Sequence, residues 1–455
     1  MRFSSPTGRE EGRGAALRRR PGQLVITGFL GAVAVGTVFL LLPIASSGRP
    51  ASFMEALFTA TSAVCVTGLV VLDTPVFWSG FGEAVILVLI QVGGLGVMTV
   101  ASLLSVLVTR RLDLSSRLVA AASTRTVSLG DVRRMLVRVV VLALVVEAVV
   151  AVVLAVRFAV AYDEPAGRAL WYGVFHSVSA YNNAGFALFS TSLIDFVADP
   201  WICVPICVGT IVGGLGLPVV LEVLRERRRP RRWSVHTKIT LLMTALLLVG
   251  GTGFFLLAEW DNTATMGTLD TGGRILASFT QSAQARTAGF NSVNTSEMHT
   301  ETWLGTVILM FIGGGSGGTA GGIKVTTFAV LAVLIWSELR GDPDATVFDR
   351  RISLATQRQA LTLALLSVAI VVLPTLWMTA LSPFTVDQIL FEVTSAFSTT
   401  GLSTGITADL AWYHQLVLVA LMFVGRLGPI TLGTALALRT RGRLYRHPES
   451  APIIG

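Results

Sequence analysis

Cysteine is scarce in this sequence. Only Cys65, Cys203 and Cys207 occur, all inside apolar segments, which excludes a disulfide framework and leaves no metal-ligand spacing. Charge is scarce too: Asp, Glu, Lys and Arg make up 14% of the 455 residues, against roughly 25% in a soluble domain. Histidine is limited to five residues, and neither His176 nor His236 has a clustered partner. No set of nucleophile, base and orienting group stands out, so the chain is not read as an enzyme, and no organic cofactor is expected in it. What is abundant is apolar side chain, 53% of the residues, with a mean hydropathy of +0.71. That balance describes an integral membrane protein. The net charge of +8 then calls for a topological explanation before any nucleic-acid one.

Long apolar segments lie at about 23–43, 79–109, 136–161, 201–224, 239–258, 302–339 with an interruption, 359–381 and 411–438. These predict eight spans of about 20 residues or more. After each odd-numbered span comes a half-apolar segment, near 52–63, 168–180, 272–284 and 385–396, too short to cross. Arginine and lysine cluster at alternate connections: Arg2 to Arg20, Arg110 to Arg138, Arg225 to Lys238, Arg340 to Arg358 and Arg439 to Arg446. By the positive-inside rule both termini are cytoplasmic and the short segments face outward. Acidic residues such as Glu55, Asp73, Asp163, Asp270 and Asp409 fall on the outer side, where they would concentrate cations.

The short segments fall into register. Phe58 to Gly68, Phe175 to Gly185, Phe279 to Gly289 and Phe391 to Gly401 share the spacing F-x9-G, and each glycine is preceded by Thr or Ala and followed by Leu or Phe. The second spans echo one another as QVGGLG (91–96), IVGGLG (211–216), IGGGSGG (312–318) and VGRLG (424–428). The unit is a span, a re-entrant helix, a glycine loop and a second span. Non-helical backbone is tolerated at membrane depth only against protein or a watery cavity, so four such loops meet around one axis. The fold class that follows is an all-α integral membrane protein of four tandem helix–pore loop–helix repeats around a pseudo-fourfold pore. Residues 1–21 form a basic tail, and the repeats occupy 22–116, 117–233, 234–352 and 353–455. Re-entrant helices entering from outside point the negative ends of their dipoles inward, favouring a cation. Rings of loop carbonyls replace the hydration shell of a weakly hydrated ion such as K⁺.

The stretch Gly313-Gly314-Gly315-Ser316-Gly317-Gly318-Thr319-Ala320-Gly321-Gly322-Ile323-Lys324 contains a formal GxGxxG. It lacks the preceding strand and following acidic residue of a nucleotide fingerprint. Glycine there makes continuous helix costly and predicts a mobile break within the sixth span, below the loops.

The F-x9-G units, "RTAGFN" at Arg286 to Asn291 and "GGGSGGTAGGIK" resemble the Trk/Ktr/HKT superfamily of potassium transporters over about 22–440, most closely the membrane subunit of Ktr-type uptake systems. The resemblance implies a K⁺ filter with one glycine per repeat, Gly68, Gly185, Gly289 and Gly401, and ions held mainly by backbone carbonyls of the loops before them. The filter set is Cys65, Val66, Thr67 and Gly68; Asn182, Asn183, Ala184 and Gly185; Arg286, Thr287, Ala288 and Gly289; and Ser398, Thr399, Thr400 and Gly401. In the plant branch a serine at the first filter glycine goes with sodium preference, and glycine at all four positions here favours K⁺. The TVGYG signature of dedicated K⁺ channels is missing, so fewer sites and looser selectivity are expected. The resemblance also implies that 313–324 is a gate, that Arg426 opposes it as an electrostatic barrier, and that Na⁺ serves as an activating ion.

No soluble domain follows residue 446, so nucleotide sensing is expected from a separate protein. By resemblance this is a cytosolic RCK-type ring binding ATP/ADP or NAD(H), docked on a homodimer in a bacterial-type plasma membrane. Arg286 is expected to point back into the protein and tie its loop to an acid or a carbonyl. Two readings of Lys324 stand, a cytoplasmic-side anchor or part of the gate, and two of Glu147, a helix pairing or a subunit contact. An ion-coupled secondary carrier is the alternative function. It predicts inverted repeats, whereas these four run in one orientation.

Overall fold

The computed structural model describes residues 21–112 and 129–438, so the basic segments expected at 2–20 and 439–446, and Arg117 and Arg125 between spans, lie outside the described residues. A helix, a shorter helix, a loop and a further helix follow one another four times. In chain order these are α1 (Pro21–Leu40), α2 (Phe53–Val64) and α3 (Gly80–Leu112); α4 (Leu129–Ala161), α5 (Ala166–Asn182) and the pair α6 (Pro200–Leu215) and α7 (Leu217–Arg225); α8 (Val235–Ala258), α9 (Thr271–Gln284) and the pair α10 (Thr300–Phe311) and α11 (Val325–Arg340); and α12 (Leu354–Ala380), α13 (Val386–Ser398) and α14 (Trp412–Leu438). Strand pairing among the described residues is confined to Thr346–Val347 against Arg350–Arg351. Among the described residues, α8, α12 and the stretches Gly80–Thr99 and Val137–Ala161 are each long and apolar enough to cross a membrane unaided.

The spans carry apolar side chains outward as well as inward. Helix α4 exposes Val141, Val145, Val149, Val152 and Val156 while burying Val139, Ala143, Val150 and Leu154. Such a face suits hydrocarbon rather than water. The short helices do the reverse, burying hydroxyls and amides at the centre: Thr61, Ser62, Ser179, Asn182, Thr280, Gln281, Thr394 and Ser395 are all at most 1% exposed.

Polar side chains cap the starts of α2 and α9. The Ser52 and Glu55 side chains and backbones form a reciprocal capping box on α2, and the Asp270 carboxylate accepts the Gly273 N–H at 3.0 Å on α9. Such caps satisfy donors that a helix start leaves free. Arg49 bonds both oxygens of Glu55, at 2.5 and 2.9 Å, and these hydrogen bonds hold that carboxyl down to about 2. Because this lies below the ordinary 4.5, the contribution is present at neutral pH and is lost as pH falls from about 4.5 through about 2.

One span differs from its sequence reading. The apolar run 201–224 suggests a continuous helix, but α6 and α7 meet at 99°. Gly216 makes the bend with φ 91 and ψ 142, a region essentially closed to other residues. Pro218 then sits in the first turn of α7, where a missing N–H costs nothing. The sixth span is interrupted between α10 and α11 as the glycine run predicts.

Glycines let the second spans press onto the short helices. A Cβ at Gly93, Gly213 or Gly425 would strike the carbonyl oxygen of Val64, Tyr181 or Phe397 respectively. Backbone cannot step aside as a side chain can, so bulk here costs about 1–3 kcal/mol or more. Gly425→Val is therefore expected to lower the melting temperature of the detergent-solubilised protein. Gly250→Ala, at a glycine with open space around it, should leave it unchanged.

Candidate functional site

The loops that follow α2, α5, α9 and α13 share one unusual backbone. Two residues before each repeat glycine stands a non-glycine residue with positive φ: Val66 at 55°, Asn183 at 59°, Thr287 at 81° and Thr399 at 50°. The glycines themselves are at 89°, 69°, 80° and 94° for Gly68, Gly185, Gly289 and Gly401. Left-handed backbone costs a non-glycine residue about 1–2 kcal/mol, and for β-branched Val66, Thr287 and Thr399 it is a marked outlier. Strain at four equivalent positions makes these loops the candidate functional site. Alternating left-handed residues with ordinary ones also turns successive carbonyls to one side instead of to opposite sides as in a strand.

The four loops close into a ring. A Cβ at Gly68 would strike the carbonyl oxygen of Ala184, one at Gly185 that of Ala288 (2.6 Å), one at Gly289 that of Thr400, and one at Gly401 that of Thr67. Each repeat touches the next and the fourth returns to the first. No side chain fits at any of the four positions. Hydroxyls behind the ring hold its shape: Ser62 Oγ accepts the Gly68 N–H and Ser395 Oγ the Gly401 N–H, both at 3.1 Å, while Ser179 Oγ donates to the Phe186 carbonyl at 2.8 Å. In the loops themselves Thr67, Ser398, Thr399 and Thr400 bury hydroxyls without a protein partner. Buried polar atoms of this kind call for water or an ion.

Of the sequence-derived set, Thr67, Gly68, Ala184, Gly185, Ala288, Gly289, Thr400 and Gly401 meet at these contacts, while Cys65, Asn182 and Arg286 turn their side chains elsewhere. Cys65 packs in an apolar cluster with Phe58 and Leu69. The Asn182 amide turns away, donating to Gln91 Oε1 at 2.8 Å, Glu147 Oε1 at 3.1 Å and the Val178 carbonyl at 2.9 Å. Gln91 Nε2 completes the cluster with a 3.1 Å bond to Glu147 Oε2, so Glu147 pairs across helices within the chain. Arg286 also points back into the protein, toward the carbonyls of Thr244 at 3.4 Å and Gly313 at 3.5 Å.

The glycine run 313–324 lies against the ring. A Cβ at Gly321 would meet the Ser398 carbonyl at 2.5 Å and strike the Thr399 hydroxyl, and Thr319 Oγ1 bonds Asn183 Oδ1 at 3.1 Å. The reading of a mobile loop meets a buried and well-bonded segment in this conformation. Gly315 N–H donates to Gly214 O at 2.8 Å, Thr319 N–H to Gly213 O at 3.1 Å and Gly313 N–H to Ile323 O at 2.9 Å. The unforeseen bend at Gly216 seats this loop, since a Cβ there would meet Ser316 O at 2.6 Å. Its signal in the sequence is the glycine–leucine–proline at 216–218, after IVGGL.

Three cations hold three carbonyls of the run: Arg286 that of Gly313, Lys324 that of Ala320 at 2.5 Å, and Arg426 Nη1 that of Thr319. Arg426 is buried, with Nε and Nη2 lacking a protein partner. Aligned on the second-span motif it occupies the position of Gly94, Gly214 and Gly314, which makes the fourth repeat the one that projects a charge there.

Residues 15–441 match a family model described as "TrkH: Cation transport protein". Over 435 residues the chain is 39% identical to the Ktr system potassium uptake protein B of Vibrio alginolyticus, covering 95% of this chain and 94% of that one. It is 36% identical over 441 residues to the protein of that name from Bacillus subtilis, at 96% and 98% coverage. It is 35% identical over 446 residues to the potassium/sodium uptake protein NtpJ of Enterococcus hirae, at 96% and 98% coverage. Among solved structures, the potassium transporter TrkH from Vibrio parahaemolyticus superposes with a TM-score of 0.72 at 17% identity, covering 93% of this chain and 85% of that one, a likeness of fold.

Proposed function

The chain belongs to the TrkH cation transport protein family, and on that premise we propose that it is a potassium uptake protein of the Ktr/Trk type, passing K⁺ through the ring of loops by gated, channel-like permeation. The observation that carries this reading is the closed ring in which each of Gly68, Gly185, Gly289 and Gly401 abuts a carbonyl of the next repeat. Carbonyls gathered on an axis stand in for the hydration shell of a cation. The carboxyl ends of α2, α5, α9 and α13 lead into that ring, so their dipoles favour positive charge there.

The glycine run, held beneath by Arg286, Lys324 and Arg426, is the gate. Backbone bonds and buried guanidinium contacts keep it closed, and its glycines supply the freedom to leave. Both termini and the basic connections face the cytoplasm, and a separate nucleotide-binding RCK-type ring acting on a homodimer supplies regulation. The curated relatives are named as components of a Ktr system, which fits a partnered subunit. Na⁺ is the activating ion in this scheme.

Expression in a bacterium stripped of its own K⁺ uptake systems tests the function. The full chain, with a Ktr-type regulatory partner supplied, is expected to restore growth at submillimolar K⁺ and to drive Rb⁺ accumulation. Growth rescue absent at normal membrane abundance would overturn it.

A further inference from the structure

The short helices of the second and fourth repeats carry acceptor side chains one residue after the motif phenylalanine: His176 after Phe175 and Glu392 after Phe391. Both are fully buried. His176 Nε2 accepts the backbone N–H of Leu188 at 3.3 Å, and its Nδ1 lies 2.7 Å from the Tyr172 carbonyl. The neutral ring with its proton on Nδ1 satisfies both contacts, and stacking on Phe189 at 4.9 Å fixes its plane. Glu392 Oε1 accepts the backbone N–H of Thr404 at 2.9 Å.

Leu188 and Thr404 occupy the same place, three residues past Gly185 and Gly401. Two chemically different side chains at one motif position therefore hold the equivalent backbone N–H, each in its own repeat. Glu392 adds bonds from Ser403 Oγ at 2.6 Å, Thr404 Oγ1 at 3.3 Å and Thr407 Oγ1 at 2.8 Å. All four of these bonds come from the segment leaving the ring. In the first and third repeats the position is Thr59 or Thr280. Since the loops touch in the order of the repeats, the second and fourth lie opposite one another.

We propose that His176 and Glu392 are positioning residues that anchor the outer ends of two opposite filter loops and thereby set discrimination between K⁺ and Na⁺, without touching the ion. This rests on the filter reading above. A loop with left-handed residues two apart relaxes unless both of its ends are held. The helix end holds one side of Asn183–Gly185 and Thr399–Gly401, and His176 and Glu392 hold the other.

The test is the ratio of K⁺ to Na⁺ flux into proteoliposomes bearing the purified full chain, for Glu392→Leu, His176→Phe and Glu392→Gln. The glutamine keeps a carbonyl acceptor for the Thr404 N–H. The leucine and phenylalanine variants are expected to lower the ratio about tenfold by admitting Na⁺, on the scale of one lost buried hydrogen bond, and the glutamine variant to stay within about twofold. Unchanged ratios in the leucine and phenylalanine variants beside a selective parent would overturn the positioning role. A parent that does not discriminate contradicts the filter reading itself. Hydrogen exchange of the parent gives a readout that needs no variant: the Leu188 and Thr404 amides should exchange about tenfold more slowly than that of Val71, their counterpart in the first repeat. Equal rates contradict the proposal even where a substitution prevents folding.

Discussion

Arg426→Gln is expected to raise K⁺ flux through the isolated chain by about tenfold to a hundredfold. The guanidinium is buried and bonds the Thr319 carbonyl of the glycine run. In the proposed gate it would act twice, tying the run against the ring and presenting a positive charge to any cation that passes. A unit charge about 5 Å from a monovalent cation costs about 3 kcal/mol at an effective dielectric near 20. That is roughly a hundredfold in rate, reduced where the ion keeps some water. Glutamine retains a donor for Thr319 but no charge. Arg426→Lys keeps the charge and should stay near the parent flux. Tracer uptake at matched protein density checks this, and an unchanged or reduced flux in a folded glutamine variant would make Arg426 a structural tie alone.

Alanine at Gly401 is expected to reduce K⁺ flux at least about a hundredfold and to bring the residual K⁺ to Na⁺ ratio toward one. With φ at 94°, the added Cβ points at the Thr67 carbonyl oxygen of the first repeat. Relieving the contact moves either the backbone of its own loop, already left-handed at Thr399, or that of its neighbour. Conformational strain alone costs about 1–2 kcal/mol. The larger loss is geometric, since one displaced loop opens a ring that each repeat helps to close. Gly253→Ala, in open space on α8, serves as the control and should leave flux and selectivity alone. Parent-like selectivity in Gly401→Ala would show that the ring does not coordinate the ion.

How far the sequence foretold the structure depends on whether the signal was local. The F-x9-G register places all four left-handed glycines, because only glycine meets a neighbouring backbone this closely. The glycine run likewise announces the break between α10 and α11. The bend at Gly216 was harder to see, since apolar residues continue through 201–224 and a single glycine before Leu-Pro interrupts no periodicity. Partners distant in sequence left no local trace. Nothing near Glu147 points to Gln91 and Asn182, and the acid at Glu392 reads as one more polar residue until Thr404 and Thr407 fold over it. His176 looked chemically idle for lack of clustered ligands, while its contacts are a carbonyl four residues back and an amide twelve ahead.

In the proposed function, four carbonyl-bearing loops select K⁺. The most direct test is cation entry into proteoliposomes containing the purified chain alone, under equal gradients of K⁺, Rb⁺, Na⁺ and Li⁺, with Gly68→Ser measured alongside. Passive K⁺ and Rb⁺ entry should exceed that of Na⁺ and Li⁺, with the preference weakened in the serine variant. Entry that requires a proton or sodium gradient and ignores Gly68→Ser would contradict that function and leave a coupled carrier in its place.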